Sequence, residues 1–126
     1  MVIGFVDTSI FVDVLRNHRP GIEWLKAQTS PGLITPTTWM EVTGGALNKA
    51  AQTDALRLLN RFEMVYQTRE DVDWAMEKLM TFRLSHNVLM NDCLIAAPAA
   101  RLRLPLYTHN LKHFTPLLGE LAQRPY

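Results

Sequence analysis

The chain has 126 residues, of which 48% are hydrophobic and 20% charged, and its formal net charge is +1. This length and composition predict a single globular domain over residues 1–126, and the charge neither requires nor excludes a nucleic-acid partner. Because Cys93 is the only cysteine, an intramolecular disulfide is excluded. The sequence shows no signal-peptide pattern and no apolar stretch of membrane-spanning length. We therefore expect a cytoplasmic protein that does not associate with a membrane.

Short apolar runs alternate with segments of helical periodicity along the whole chain. The predicted elements, in chain order, are a strand at 2–6, a helix from about 10 to Pro20, a short helix around Trp24, a strand at 33–35, a helix at 37–49, a helix at 52–62, a strand at 64–66, a helix from Glu70, a helix at 93–103, a strand at 104–107, a short helix at 111–114 and a weak edge strand at 121–126. This alternation predicts an α/β fold whose parallel sheet of four to five strands is covered by helices on both faces.

Polar side chains follow two of these strands. Asp7 ends the first apolar run, and Asn110 closely follows the run at 104–107. Because ligands of open α/β sheets bind outside the carboxyl ends of the strands, these two residues predict one shared site. Each also has a structural interpretation as a helix N-cap, as does Asp92.

Glu41 lies in a predicted helix beside Gly44 and Gly45, and each glycine costs a helix about 1 kcal/mol relative to alanine. Because glycine has no side chain, these positions indicate close approach to the helix by a ligand or by another segment of the chain. The structural alternative is that a second helix crosses tightly at this point. Carboxylates gathered at one sheet edge would repel one another unless a cation were bound. A hard divalent ion such as Mg²⁺ relieves that repulsion and supports phosphodiester hydrolysis.

Four stretches of the chain together resemble the motifs of one protein family. The stretches are Val6-Asp7-Thr8-Ser9 with Phe11-Val12-Asp13-Val14-Leu15, Thr37-Thr38-Trp39-Met40-Glu41-Val42, Asn91-Asp92-Cys93-Leu94-Ile95-Ala96-Ala97, and Leu106-Tyr107-Thr108-His109-Asn110-Leu111-Lys112-His113-Phe114. The family that they resemble is the PIN domains, and specifically the VapC ribonuclease toxins of toxin–antitoxin pairs. The resemblance implies a three-layer α/β/α sandwich that cleaves single-stranded RNA with Mg²⁺ or Mn²⁺. It also implies a homodimer neutralised by a VapB-like antitoxin. Phe11, Trp24 and Leu25 are candidate antitoxin contacts, and burial in the core is the favoured alternative for each.

By position in these motifs, the resemblance assigns catalysis and metal binding to Asp7, Glu41 and Asp92. Asn110 falls where many members carry a fourth acid; its amide oxygen adds no charge, and it is a fourth candidate ligand. The remaining matched positions are hydroxyl side chains expected to steady the acids. They are Thr8, Ser9 and Thr108.

Other classes match less well. A haloacid-dehalogenase-like phosphatase needs a second aspartate where Ser9 stands, and a response-regulator receiver needs an acidic pair that the chain lacks. A PIN-like module that binds RNA or protein with little or no catalysis is the main alternative, because Asn110 carries no charge.

Two further features lie outside these motifs. Pro98 falls inside a predicted helix, where it should remove one hydrogen bond and cost about 3 kcal/mol if uncompensated. The segment from residue 101 onward is enriched in cations, which can attract phosphate but are more often a solvated surface. Against the single acid Glu120, it carries Arg101, Arg103, Lys112 and Arg124, with His109 and His113.

Overall fold

A computed structural model describes residues 3–126. Its centre is one sheet in which five short strands are ordered β3-β2-β1-β4-β5, and every neighbouring pair is parallel. The strands are β1 (Phe5–Val6), β2 (Leu33–Ile34), β3 (Glu63–Met64), β4 (Leu106–Tyr107) and β5 (Ala122–Gln123). The predicted parallel sheet is thus confirmed, and all five carboxyl ends meet at one side, here called the carboxyl edge.

Seven α-helices surround the sheet within residues 3–126. They are α1 (Thr8–Leu15), α2 (Arg19–Ala27), α3 (Pro36–Gly44), α4 (Lys49–Leu59), α5 (Arg69–His86), α6 (Met90–Leu102) and α7 (Leu111–Leu118). Successive strand residues point to opposite faces. Phe5 accordingly packs in a cluster with α5, α6 and α7, and Val6 in a cluster with α1, α3 and α4. The three-layer α/β/α sandwich is confirmed, and none of the described helices is long and apolar enough to cross a membrane.

The bounds of several elements differ from the prediction. The strand expected at 2–6 is limited to Phe5–Val6, and Met1 and Val2 lie outside the described residues. The helix expected at 37–49 ends at Gly44, and α4 begins earlier than expected because Asn48 caps it. The Asn48 side chain accepts a hydrogen bond from the Ala51 amide at 2.8 Å.

The two glycines beside Glu41 end the helix that carries it. A Cβ built on Gly44 would meet nothing within 4 Å, and one on Gly45 would meet only the Glu41 and Val42 carbonyls. No described protein segment therefore approaches there, and the tight-crossing interpretation is wrong. These two glycines end α3, because glycine has the lowest helical propensity of any residue except proline.

Pro98 does not end α6, which continues to Leu102. The residue four positions earlier is Leu94, whose carbonyl loses its helical donor because proline has no N–H. The Gln67 side-chain amide supplies the missing donor at 3.1 Å and also donates to Thr37 Oγ1 at 2.9 Å. The expected cost of Pro98 is therefore offset by a side chain from the segment before α5. Cys93, in the first turn of the same helix, is buried.

Candidate active site

Asp7 directly follows β1 at the carboxyl edge and is only 5% exposed. It occupies the N-cap position of α1, yet its side chain makes no capping hydrogen bond. Instead Oδ2 accepts from Thr108 Oγ1 at 2.8 Å and from Ser9 Oγ at 2.9 Å. Burial raises the pKa of Asp7, and the two hydroxyls lower it by less. The carboxylate is therefore held in place by neutral donors and not used as a helix cap.

The same two hydroxyls tie the segment after β4 to the start of α1. Thr108 Oγ1 accepts from the Asn110 amide at 2.9 Å, and Ser9 Oγ accepts from the His109 amide at 3.2 Å. Thr108 is fully buried. Asn110 thus lies beside Asp7, linked to it through one buried hydroxyl.

Glu41 reaches the carboxyl edge from α3. Its Oε1 accepts from Thr8 Oγ1 at 2.7 Å, and its Oε2 accepts from Asn91 Nδ2 at 3.1 Å. Thr8 directly follows Asp7 in the chain, and Asn91 directly precedes Asp92. Glu41 is consequently connected to the two regions that carry the other acids.

Asp92 is the third residue of α6 and not the cap that the sequence predicted. Its Oδ2 accepts from the Leu89 amide at 2.9 Å and lies 3.0 Å from His113 Nδ1. Burial raises the pKa of Asp92, the charge of Glu41 raises it further, and His113 lowers it. The two acids therefore lie close enough to interact electrostatically.

Two residues of this network were missed as site residues by the sequence analysis. His113 Nδ1 lies 3.0 Å from Asn110 Nδ2 as well as contacting Asp92, and Asn91 contacts Glu41. His113 is three positions after Asn110, one turn into α7, so it lies on the same side of that helix. The spacing from Asn110 could have identified His113 as a site residue in the sequence. Asn91 could have been identified because it directly precedes Asp92.

The acids of the site have no arginine or lysine partner among residues 3–126. Carboxylate and amide oxygens are the ligands that hard divalent cations prefer, so the donor chemistry fits such an ion. Within the described part of the chain, however, no group of three or more His, Cys, Asp or Glu side chains is placed to hold a metal ion. Hydroxyl, amide and imidazole groups contact the carboxylates in this arrangement. Metal binding through all three acids would therefore require side-chain rotation.

Comparisons with known proteins agree with this fold. The family model "PIN domain" matches residues 4–114. A toxin–antitoxin complex from Klebsiella pneumoniae contains a chain similar to this one, with 26% identity, a TM-score of 0.75 and 98% of each chain covered. VapBC2 from Rickettsia felis, bound to a DNA fragment from its promoter, shows the same fold at 24% identity and a TM-score of 0.71, over 90% of this chain and 91% of that one.

VapBC-1 from nontypeable Haemophilus influenzae shares the fold at 24% identity and a TM-score of 0.70, over 91% of this chain and 92% of that one. Among curated proteins, none matches the sequence. The family match covers well over half of the chain. The chain therefore belongs to the PIN domain family.

Proposed function

We propose that this protein is a VapC-like toxin, a metal-dependent endoribonuclease that hydrolyses single-stranded RNA in the cytoplasm and is neutralised by a VapB-like antitoxin. The observation that carries the proposal is the set of three acids at the carboxyl edge, Asp7, Glu41 and Asp92, without an arginine or lysine partner among the described residues. Buried carboxylates without a cation are costly, so selection for stability gives little reason to gather them.

Asp7, Asp92 and Glu41 would hold Mg²⁺ or Mn²⁺, with Asn110 as a fourth candidate ligand. When bound, the ion would neutralise the acids, polarise a phosphoryl oxygen and lower the pKa of water. Burial raises the pKa of both Asp7 and Asp92, and a bound cation would favour their charged forms.

The chain's own residues would position these groups for the reaction. Thr108 and Ser9 fix the Asp7 carboxylate, which has little room to move because it is buried. Glu41 is only partly buried and is held by Thr8 and Asn91, so it can turn toward substrate and accept a proton from the attacking water. Such supporting contacts typically change activity or metal affinity about 10- to 100-fold when removed.

The antitoxin would bind the face formed by α1, α3 and α4. A groove of about 310 Å³ lies there, with Glu41 in one wall, and it is lined by apolar residues that include Leu15, Val42 and Leu47. Leu47 is 96% exposed, which suits an apolar contact with a partner. Phe11, a candidate contact from the sequence, is 1% exposed and belongs to the core.

A homodimer would cover the exposed face of α5. Val72, Met76, Met80 and Leu84 recur every four residues along this helix and are 40%, 62%, 84% and 98% exposed. Ala75, on the same helix, is buried instead. Residues four apart lie on one helix face, and a second copy of the chain would bury this stripe.

The test is cleavage of mixed structured and single-stranded RNA by antitoxin-free protein, with Mg²⁺, with Mn²⁺ and with chelator. Asp7→Asn keeps an oxygen that can accept from Thr108 and Ser9 but removes the charge. We expect it to lower cleavage by more than about 100-fold, the upper range for loss of a supporting residue. The matched control is Glu63→Gln, which removes the charge of an exposed acid in β3 and should cleave like wild type. If wild type and Asp7→Asn share the same background cleavage and bind RNA alike, the protein is the non-catalytic binding module.

A further inference from the structure

Arg124 lies at the same edge of the sheet as the acids. It directly follows β5, and the Thr108 amide donates to the Gln123 carbonyl at 2.9 Å, so β4 and β5 are still paired where both end. Since the strands are parallel, Arg124 emerges at the carboxyl edge, next to the segment that carries Asn110. Arg124 and the acids therefore lie at the same edge of the sheet, and Arg124 is at the end of that edge formed by β5.

The Arg124 side chain is anchored by the ring of His109. Its Nε donates to His109 Nδ1 at 3.3 Å, so that ring nitrogen is the acceptor. The ring of His109 packs edge-on against Tyr126, with centroids 4.4 Å apart. The anchor of the guanidinium is therefore itself fixed by packing.

Arg124 has no carboxylate partner among residues 3–126. The acid beside its anchor is Asp13, whose Oδ2 lies 3.5 Å from His109 Nε2 and accepts from the Tyr126 hydroxyl at 2.7 Å. By contrast, Arg101, from the same cation-rich segment, forms an ion pair with Asp71. Lys112, two positions after Asn110, adds a second exposed cation on the β4–β5 side.

We infer that Arg124 forms a phosphate subsite that holds the RNA strand on the β5 side of the acids. The inference rests on the proposed function, because it takes RNA as the ligand. A polyanion approaching three carboxylates is repelled, and a positioned guanidinium beside them offsets that repulsion and gives the strand a fixed path. Guanidinium suits the task because it presents several donors to phosphate oxygens.

The experiment measures binding of a single-stranded RNA oligonucleotide across a salt series, in the Asp7→Asn background so that the RNA stays intact. One phosphate contact on a single strand contributes about 0.7 to the slope of log K against log salt. We expect Arg124→Gln to reduce the slope by about 0.7 and the low-salt affinity several-fold. Arg124→Lys should retain the slope, since it keeps the charge.

The matched control is Arg103→Asn, which also removes one exposed arginine charge. Arg103 precedes β4 at the opposite edge, and asparagine tolerates its left-handed backbone at φ 55°. We expect this control to match its parent in slope. An Arg124→Gln slope equal to that of Arg103→Asn overturns the subsite, even if the wild-type protein cleaves RNA. A reduced slope in Arg124→Gln supports the subsite, even if cleavage fails and the nuclease proposal falls.

Discussion

Two buried aspartates of this molecule have opposite surroundings. Asp71, in the first turn of α5, is 2% exposed, and its carboxylate binds the Arg101 guanidinium through contacts of 3.0–3.2 Å. Asp7 is 5% exposed and receives hydrogen bonds from two hydroxyls, without an ion-pair partner in the described chain. Residue type and burial are the same, and only the partner differs. A paired buried acid joins two helices, whereas an unpaired one at a strand end remains available for an added cation.

The largest effect on stability should come from breaking the pair at Asp71. Arg101→Gln would leave a buried carboxylate without its cation. We expect a loss of about 2 kcal/mol in the free energy of unfolding, less than for a fully buried pair because the Arg101 side chain is 36% exposed. Urea unfolding measures the loss, and RNA cleavage by the folded variant should be unchanged. The double variant Asp71→Asn/Arg101→Gln should recover part of the stability, and equal stability of Arg101→Gln and wild type would contradict the structural role.

A smaller effect should come from adding metal to the acids of the carboxyl edge. An ion that binds only the folded state stabilises it by about 1.4 kcal/mol at ten times Kd. We therefore expect a higher melting midpoint in millimolar Mg²⁺ or Mn²⁺ than in chelator. Asn110→Asp adds a carboxylate to the site and should enlarge the shift, while Asp92→Asn should reduce it. A wild-type midpoint that metal leaves unchanged would count against a metal site here.

The smallest effect concerns the pH dependence of stability without metal. Burial raises the pKa of Asp92 above 3.8, so the folded state binds more protons than the unfolded state just above that pH. Stability is therefore lost as pH rises from about 3.8 through the folded pKa. Asp92→Asn removes this loss, and at pH 7 in chelator we expect the variant to be more stable by about 0.5 kcal/mol, part of the gain being offset by a weaker hydrogen bond from Leu89.

The measurement is urea unfolding of Asp92→Asn and wild type at pH 7 and near pH 4. The advantage of the variant should shrink at the lower pH, where a larger fraction of the wild-type carboxyl is protonated. Glu63→Gln, at an exposed acid in β3, serves as the control and should match wild type at both values. An advantage that is independent of pH would show that ionisation of Asp92 is not its cause.

The sequence by itself determined the order of elements, the parallel sheet and the presence of Asp7 and Asn110 at strand ends. These properties depend on local patterns, because apolar runs specify strands, and parallel strands bring their carboxyl ends to one edge. Helix bounds were less determined. The apolar pattern over residues 37–49 predicts one continuous helix. In the structure the two glycines end α3 and Asn48 caps α4, so these residues set the helix bounds.

Only the tertiary structure decided which side chains meet. Thr108 binds Asp7 across 101 positions, and Asn91 binds Glu41 across 50. Gln67 supplies the donor that Pro98 cannot, from 27 positions before Leu94. Such contacts depend on how helices pack on the sheet, and no periodicity in the chain encodes a single side-chain partner. For the same reason, the sequence contained both Asp7 and Asp71, and only the fold showed that one has an arginine beside it.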